Sequence, residues 1–464
     1  MGFGISVIAA VLYLAPLLLN APLTDPDEGL HAVISQEMVE RGDLIVPRFL
    51  GRAFLDKPIL FFWAQAASIN TFGMNSAAAR LPGMLFALLG IATTGWLARV
   101  LLSGGPDKAR PPVHWIAAMC HATMVLPFLL AQAPVHDMAL VPFTNLAIGF
   151  LWRARRDLGL GIWDLGLAAI ALGLSMLTKG LEGVAIVGVG YGAYLLLSRA
   201  ITLRIISQGV TVLAMAALVA LPWYLAMNAR EPGYLRYYFV DRHVLGFATD
   251  TQRHSGQPWW FYLPIVIGGG LPWTVYVALA GRKIAPPDTA EPPTMFLWTW
   301  LAGAIILLSL SASKAVTYVL PAMPAIAILA ARSPKAARAW PTLVVAIAAT
   351  YALALAVFGP SVARAHSARD LAEYFNSAGR LPATIFVFDQ RVSFIYSLQP
   401  GLRNQLHPDQ VRSVSVEQLA AMQPFPRDAV VTVPADLAEN RLSRIPALAH
   451  ATRHAAGRYV VVSP

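Results

Sequence analysis

Charge is scarce in this chain. Only 13% of its 464 residues are Asp, Glu, Lys or Arg, and 57% are hydrophobic, whereas soluble domains carry about 25% charged residues. That leaves too little polar surface to cover a soluble globule of this size. Cysteine is nearly absent too: the single Cys120 excludes an internal disulfide, and its apolar surroundings make it a small core residue. No Walker motif, dinucleotide fingerprint or nucleophile elbow occurs, and there is no fixed-period repeat or low-complexity tract. The net charge of +10 comes without a basic stripe interleaved with aromatics, so nucleic acid is excluded as a partner.

What the chain does have is long apolar runs. They fall at 5–21, 81–101, 113–131, 135–151, 164–178, 183–198, 206–226, 259–280, 294–311, 314–331 and 341–359. Lipid offers no partner for backbone polar groups, so runs of roughly 20 apolar residues read as spanning helices. The expectation is an all-α polytopic membrane protein with about eleven spans. The first run lacks a basic leader, and Asn20-Ala21-Pro22 is a poor cleavage site, so it reads as an uncleaved span rather than a signal peptide.

The loops set an orientation. Counting from a cytoplasmic N-terminus, the inner loops hold Arg99, Lys108 and Arg110; Arg153, Arg155 and Arg156; Arg199 and Arg204; Arg282 and Lys283; Arg332, Lys335 and Arg338. The opposing short connections hold only Lys179 and Lys314. The positive-inside rule therefore places the N-terminus in the cytoplasm and, with an odd number of spans, the C-terminus outside. Two domains follow: a membrane domain, 1–360, with outer loops 22–80 and 227–258, and an extracytoplasmic tail, 361–464. The tail shows strand-like runs at Thr384–Phe388, Ala429–Val433 and Tyr459–Val462. Helix-like stretches at Ala368–Ser377 and Val416–Met422 lie between them, so it reads as a small α/β domain. In the first loop, Glu28–Arg41 reads as an amphipathic helix lying on the membrane, with Leu30, Val33, Ile34 and Met38 on one face. Residues 58–72 read as a re-entrant or interfacial helix.

Ionisable residues gather on the outer side, where burial beside apolar runs is costly and usually functional. Thr24-Asp25-Pro26-Asp27-Glu28 opens the first loop. A helix start explains Asp25 as N-cap and Pro26 as first helical residue; Asp27 and Glu28 remain candidates for a general base or a metal contact. Asp56-Lys57-Pro58 reads as a surface ion pair or as part of a site. His136-Asp137, Lys179-Gly180 and Ser313-Lys314 sit at the outer ends of spans. Each lysine alone could snorkel to the headgroups, but Lys57, Lys179 and Lys314 on one side of one bundle suit a phosphate group. Residues 234–257 add Arg236, Arg242, His243, Arg253 and His254 among tyrosines. A histidine near a carboxylate can also hold a metal.

The stretch from Asp25 to Trp63, D-P-D-E-G-L-H through F-L-D-K-P-I-L-F-F-W, resembles the first outer loop of the aminoarabinose transferase and protein mannosyltransferase superfamily. A-A-R-L-P at 78–82, L-T-K-G at 177–180, L-P-W-Y at 221–224, Q-P-W-W-F-Y-L-P at 257–264 and S-A-S-K-A-V-T-Y-V-L-P at 311–321 are similar to that family as well. These are glycosyltransferases of the GT-C fold that use polyprenyl-phosphate sugars. The resemblance implies a lipid-linked donor, a lipid, lipid-A-like or other envelope acceptor, and an inverting transfer at the outer face of a bacterial inner membrane. It implies Asp27 as catalytic carboxylate, with Glu28 beside it and Asp137 as a second acidic site residue. Lys57, Lys179, Lys314, Arg253 and Tyr318 become donor-phosphate contacts. Asp56 and His243 become candidate ligands of a divalent metal; no other cofactor is expected. Two positions differ from the family pattern: Asp56 stands where Glu precedes the Lys-Pro pair, and Gly246 where an arginine follows the loop histidine. A protein-hydroxyl acceptor, or transport of a lipid-linked sugar, are the alternative readings.

Overall fold

The computed structural model describes residues 2–102, 113–133, 135–155, 161–249, 256–280, 292–422, 425, 426, 428–448 and 450–463. The chain divides into two compact units. One comprises Met1–Pro16, Leu55–Phe61 and Leu81–Ala352; the other comprises Leu17–Phe54, Phe62–Arg80 and Leu353–Pro464. The boundary expected near residue 360 thus separates the tail from loop segments that in fact fold with it.

The first unit is a helical bundle. Among the described residues five helices are long and apolar enough to cross a bilayer: Ser76–Leu102, Ile162–Lys179, Leu203–Arg230, Pro293–Leu310 and Pro334–Ala365. Two bent pairs raise the number to seven if each is one span: Val113–Ala122 with Val125–Ala131, bent by 60°, and Tyr262–Gly269 with Trp273–Ala280, bent by 100°. The remaining apolar runs fall on shorter helices, Val7–Leu19, Glu182–Leu197 and Val316–Ala331, and on His136–Arg155, whose ends carry Asp137, Arg153 and Arg155. Every one of the eleven apolar runs is helical; five to seven of them satisfy the length and composition of a span. The helix Pro334–Ala365 buries only 6% of its most apolar window, and Val345, Leu353, Val357 and Phe358 are exposed. A helix that presents such side chains outward needs lipid around it.

The bends have a local cause and a local remedy. Gly268-Gly269-Gly270-Leu271-Pro272 removes both helix propensity and a backbone donor. Polar backbone freed at the two breaks is recaptured: Val125 N–H donates to the Leu271 carbonyl at 3.3 Å. The Tyr13 hydroxyl donates to Ala122 O at 2.9 Å, the Tyr351 hydroxyl to Thr123 O at 3.2 Å, and Trp273 Nε1 to Thr123 Oγ1 at 2.9 Å. Aromatic donors thus replace the water that a bilayer core lacks.

The second unit is built on a sheet. A short antiparallel ribbon, β1 (Arg48–Phe49) and β2 (Arg52–Ala53), precedes it. The main sheet has β3 (Thr384–Val387), β4 (Val411–Ser413), β5 (Ala429–Pro434), β6 (Thr452–Ala456) and β7 (Tyr459–Ser463) in the order β4-β3-β5-β7-β6. β4, β3 and β5 run parallel, and β7 and β6 close it antiparallel. Both faces are covered. Ile385 and Val387 pack with Leu371, Phe375 and Phe394; Phe386 and Phe388 pack with Val431, Val433 and Leu442. Two-sided burial is why β3 and β5 read as unbroken apolar runs. β4 is three residues long, and β6, Thr-Arg-His-Ala-Ala, is exposed until its last residue, so neither shows an apolar alternation.

The helix Asp27–Arg41 differs from its expected surface position. Glu28, Gly29 and every residue from His31 to Met38 are buried. Val33 and Ala32 join the core of the sheet unit, and the Ser35 hydroxyl donates to Gln65 Oε1 at 2.7 Å. Gln65 in turn donates to Ala79 O at 2.8 Å. Packing on several sides replaces the lipid contact that the apolar face alone suggested. The helix Leu60–Phe72 has 13 residues, about 20 Å at 1.5 Å per residue, too short for a perpendicular crossing.

Candidate active site

In the bundle, three helix ends converge. Asp137 lies in the first turn of His136–Arg155, where the helix dipole favours a carboxylate. Lys179 closes Ile162–Lys179, and Glu182 opens Glu182–Leu197. The Lys179 ammonium donates to Asp137 Oδ1 and pairs with Glu182 Oε2 at 2.8 Å. It also stands 3.6 Å from the centre of the Tyr318 ring, a cation–π contact strengthened by the absence of water. Side chains of Lys179 and Asp137 are only 6% and 8% exposed, so each carboxylate depends on the lysine to offset its desolvation. The second oxygen of Glu182 is buried without a hydrogen bond. Lys57 lies within electrostatic reach of Asp137, Glu182 and His243. It forms none of the hydrogen bonds or close ion pairs seen among the described residues.

The turn at 180 is constrained. Gly180 has φ +66°, and a Cβ there would lie 2.4 Å from His243 Nε2 and 2.8 Å from the Tyr238 hydroxyl. Glycine after Lys179 is therefore a steric requirement, not a flexible joint.

His243 has both nitrogens engaged. Nδ1 donates to Tyr238 O at 2.7 Å, and Nε2 accepts from Leu181 N–H at 3.2 Å. That pattern requires the neutral Nδ1–H tautomer, and burial, with Lys57 and Arg242 nearby, lowers its pKa below the ordinary histidine value. Asp56 accepts from the Tyr237 hydroxyl at 2.6 Å and lies 3.5 Å from Arg242 Nε. Both proposed metal ligands are thus committed to protein groups. No grouping of three or more His, Cys, Asp or Glu side chains suited to a metal occurs among the described residues. As they stand, Asp56 and His243 do not form a divalent-ion site with the other described residues.

Lys314 is also committed. Its ammonium donates to Ser311 O at 2.5 Å and Gln257 O at 3.3 Å, which fixes two loop segments rather than leaving a cation for phosphate. Tyr318 takes part through its ring. Arg253 lies outside the described residues.

The acidic run of the first loop sits in the other unit. The helix starts at Asp27, with Pro26 before it, so Asp25 is not its N-cap. Instead the Asp25 carboxylate accepts hydrogen bonds from Val392 N–H at 2.8 Å, Ser393 N–H at 2.7 Å and Ser393 Oγ at 2.6 Å. Glu28 is held by Arg80, whose Nε and Nη2 reach it at 2.5 and 2.8 Å. Arg80 also donates to the carbonyls of Ala21 and Pro22. A carboxylate bound this way is a clamp, which removes Glu28 from the proton-transfer candidates. Asp27, between these two anchored acids, is exposed and has no side-chain partner among the described residues. Glu28→Gln is expected to lower stability by about 3 kcal/mol, the low end for breaking a buried pair. Arg80 keeps its carbonyl acceptors, and chemical denaturation of the purified chain measures the loss.

Burial pushes the Asp25 carboxyl up from 3.8 to about 6, against the opposing pull of its hydrogen bonds to Ser393 and Val392 and of Arg391. The folded state therefore holds this proton more tightly than the unfolded chain. Its contribution to stability is complete below pH 3.8 and is lost as pH rises through about 6. The difference in unfolding temperature between the wild type and Asp25→Asn should change across that window and level off outside it.

Sequence reading does not mark Glu182, Arg80 or Ser393 as site residues. Glu182 had a signal, an acid three residues after Lys179 and so on an adjoining turn; Arg80 lay within the A-A-R-L-P motif. Ser393 had none.

A multi-pass membrane chain with these features matches known proteins. A model of the family described as dolichyl-phosphate-mannose-protein mannosyltransferase covers residues 56–225. The undecaprenyl phosphate-alpha-4-amino-4-deoxy-L-arabinose arabinosyl transferase of Aeromonas hydrophila is 30% identical over 321 residues, 69% of this chain and 57% of that protein. Its Pseudomonas aeruginosa counterpart is 33% identical over 324 residues, with 69% and 57% covered. The chain spans somewhat over half the length of the curated relatives it matches. Among solved structures, ArnT from Cupriavidus metallidurans bound to undecaprenyl phosphate superposes with a TM-score of 0.72 at 21% identity, covering 99% of this chain and 97% of that one. The oligosaccharyltransferase AglB of Archaeoglobus fulgidus gives 0.58 at 13% identity, with 94% and 69% covered. Fold and apolar helices together define a multi-pass membrane protein of the GT-C class. Within that class, the sequence similarity is to aminoarabinose transferases.

Proposed function

We propose that this protein is a membrane glycosyltransferase that moves a sugar from a polyprenyl phosphate to a lipid-A-like acceptor at the outer face of a bacterial inner membrane, with inversion at C1. The observation that carries the reading is the buried Lys179–Asp137–Glu182 cluster with Lys57 and Tyr318 at one end of the bundle. Similarity to the aminoarabinose transferases, and the name they carry, support the donor class. The bias of Lys and Arg towards alternate loops supports a cytoplasmic N-terminus and a periplasmic tail.

The chemistry needs few parts. An acceptor hydroxyl attacks C1 of the sugar as the bond from C1 to the phosphate oxygen breaks. The new bond forms on the opposite face, and the proton of the hydroxyl passes to a carboxylate, Asp27 in this reading. The departing polyprenyl phosphate keeps the electron pair. Lys57, which forms no close ion pair among the described residues, stabilises the charge growing on that phosphate. Lys179, already balanced by two carboxylates, sets the local potential and orients the Tyr318 ring. Phosphate leaves without protonation, so one base suffices.

Reconstituted vesicles with polyprenyl-phosphate sugar inside and outside test the reading. Expected is an acceptor lipid heavier by one sugar, detected by mass spectrometry, with stoichiometric release of polyprenyl phosphate. Movement of the donor across the bilayer with no modified acceptor would identify a transporter instead. Modification of protein hydroxyls alone would change the acceptor class.

A further inference from the structure

Within the second unit, the Asp25 carboxylate ties the start of the first loop to the turn at 392–393. Asp25 takes three hydrogen bonds from Val392 and Ser393, residues that open the short 3₁₀ turn Ser393–Ser397. The backbone is tied as well: Asp25 N–H donates to His366 O at 2.9 Å. Ser393 Oγ accepts from Ala368 N–H at 2.8 Å while donating to Asp25, so both capacities of the hydroxyl are spent in one arrangement. Gly29, one helical turn on, lies so close that a Cβ would fall 2.5 Å from Ser393 Cβ. On the far side of Asp27, Glu28 is fixed by Arg80. The residue between two immobilised acids has no freedom except its own side-chain rotation.

We propose that Ser393 and Asp25 are positioning residues for the transfer reaction, and that the C-terminal domain serves to hold Asp27 in the geometry that accepts the acceptor's proton. The inference rests on Asp27 being the base. Buried charge-assisted hydrogen bonds are short and directional, and three of them on one carboxylate fix the backbone two residues before Asp27. Reaction geometry tolerates little error: a misplacement of about 1 Å costs on the order of 10²-fold in rate. Loss of the anchor acts on the chemical step. Donor affinity stays with the lysines of the bundle, so kcat falls while KM for donor holds.

The test uses the full chain in four forms: wild type, Ser393→Ala, Asp25→Asn and Asp27→Asn. Transfer kinetics and hydrogen–deuterium exchange over residues 22–41 are read on each. Expected for Ser393→Ala and Asp25→Asn is kcat lower by about 10- to 100-fold, an unchanged donor KM, and faster exchange at 27–34, with the bundle helices protected as in wild type. Gly29→Ala, which displaces the helix from Ser393, should reproduce the kcat loss with Asp25 and Ser393 intact. Wild-type kcat in both anchor variants while Asp27→Asn is inactive would overturn the inference, as would a rise in donor KM equal to the fall in kcat. Faster loop exchange with full turnover in all three variants would instead reject Asp27 as the base.

Discussion

Replacing Asp27 with Asn is expected to stop sugar transfer, lowering turnover by about 10²–10⁴-fold, with membrane insertion and binding of the proposed lipid donor unchanged. Asn has the size of Asp but cannot take a proton at neutral pH. Asp27 is the one acid of the Asp25-Pro26-Asp27-Glu28 run that is exposed and has no side-chain partner among the described residues; Asp25 and Glu28 are both consumed by clamps. The substitution therefore removes no buried partner, and its cost to stability should fall within the ±0.5 kcal/mol or so of ordinary surface changes. Transfer of radiolabelled sugar to acceptor lipid, together with unfolding temperature in detergent, separates these outcomes. Turnover near wild type in Asp27→Asn, with the fold intact, would remove it from the mechanism and leave Asp137 and Glu182 as the acids to test.

Lys179→Met should cost both stability and activity. The methionine fills the volume of the lysine stem but leaves Asp137 and Glu182 without the cation they pair with, in a site almost closed to water. Breaking a buried pair by removing one partner costs about 3–5 kcal/mol, a large part of the 5–15 kcal/mol that stabilises a typical protein. Adding Asp137→Asn and Glu182→Gln removes the stranded charges. The triple variant should regain most of the lost unfolding temperature, yet it should not transfer sugar, because the ammonium that holds the Tyr318 ring in place is gone. Recovery of transfer along with stability would show the cluster to be structural only. Lys57→Met is the contrasting case: with no close ion pair to break among the described residues, it should weaken donor use without a comparable loss of stability.

How much of the site could be read from the chain depends on the kind of partner each residue has. Asp137 and Lys179 were legible because a charge at the end of an apolar run has few options, and the structure brings the two together as an ion pair. Lys314 looked the same by that criterion and proved otherwise. Its partners are backbone carbonyls of Ser311 and Gln257, and any lysine in a Ser-Ala-Ser-Lys turn may equally face a cavity or its own loop. His243 and Asp56 suggested metal because a histidine near a carboxylate can hold one. The imidazole is instead clipped between Tyr238 O and Leu181 N–H, and the carboxylate is held by Tyr237. Glu182 was passed over although only three residues from Lys179.

The apolar runs by themselves determined that this chain is helical and lives in a bilayer, because lipid leaves backbone polar groups no other arrangement. The tail's buried strands β3 and β5 were legible for a related reason, since a strand covered on both faces must be apolar throughout. What tertiary structure decided is which charge meets which partner. Asp25 finds Ser393 at a distance of 368 residues along the chain, and Glu28 finds Arg80 at 52. A hydrogen bond is satisfied by whatever donor the fold delivers within about 3 Å, and local sequence carries no record of a donor that far away.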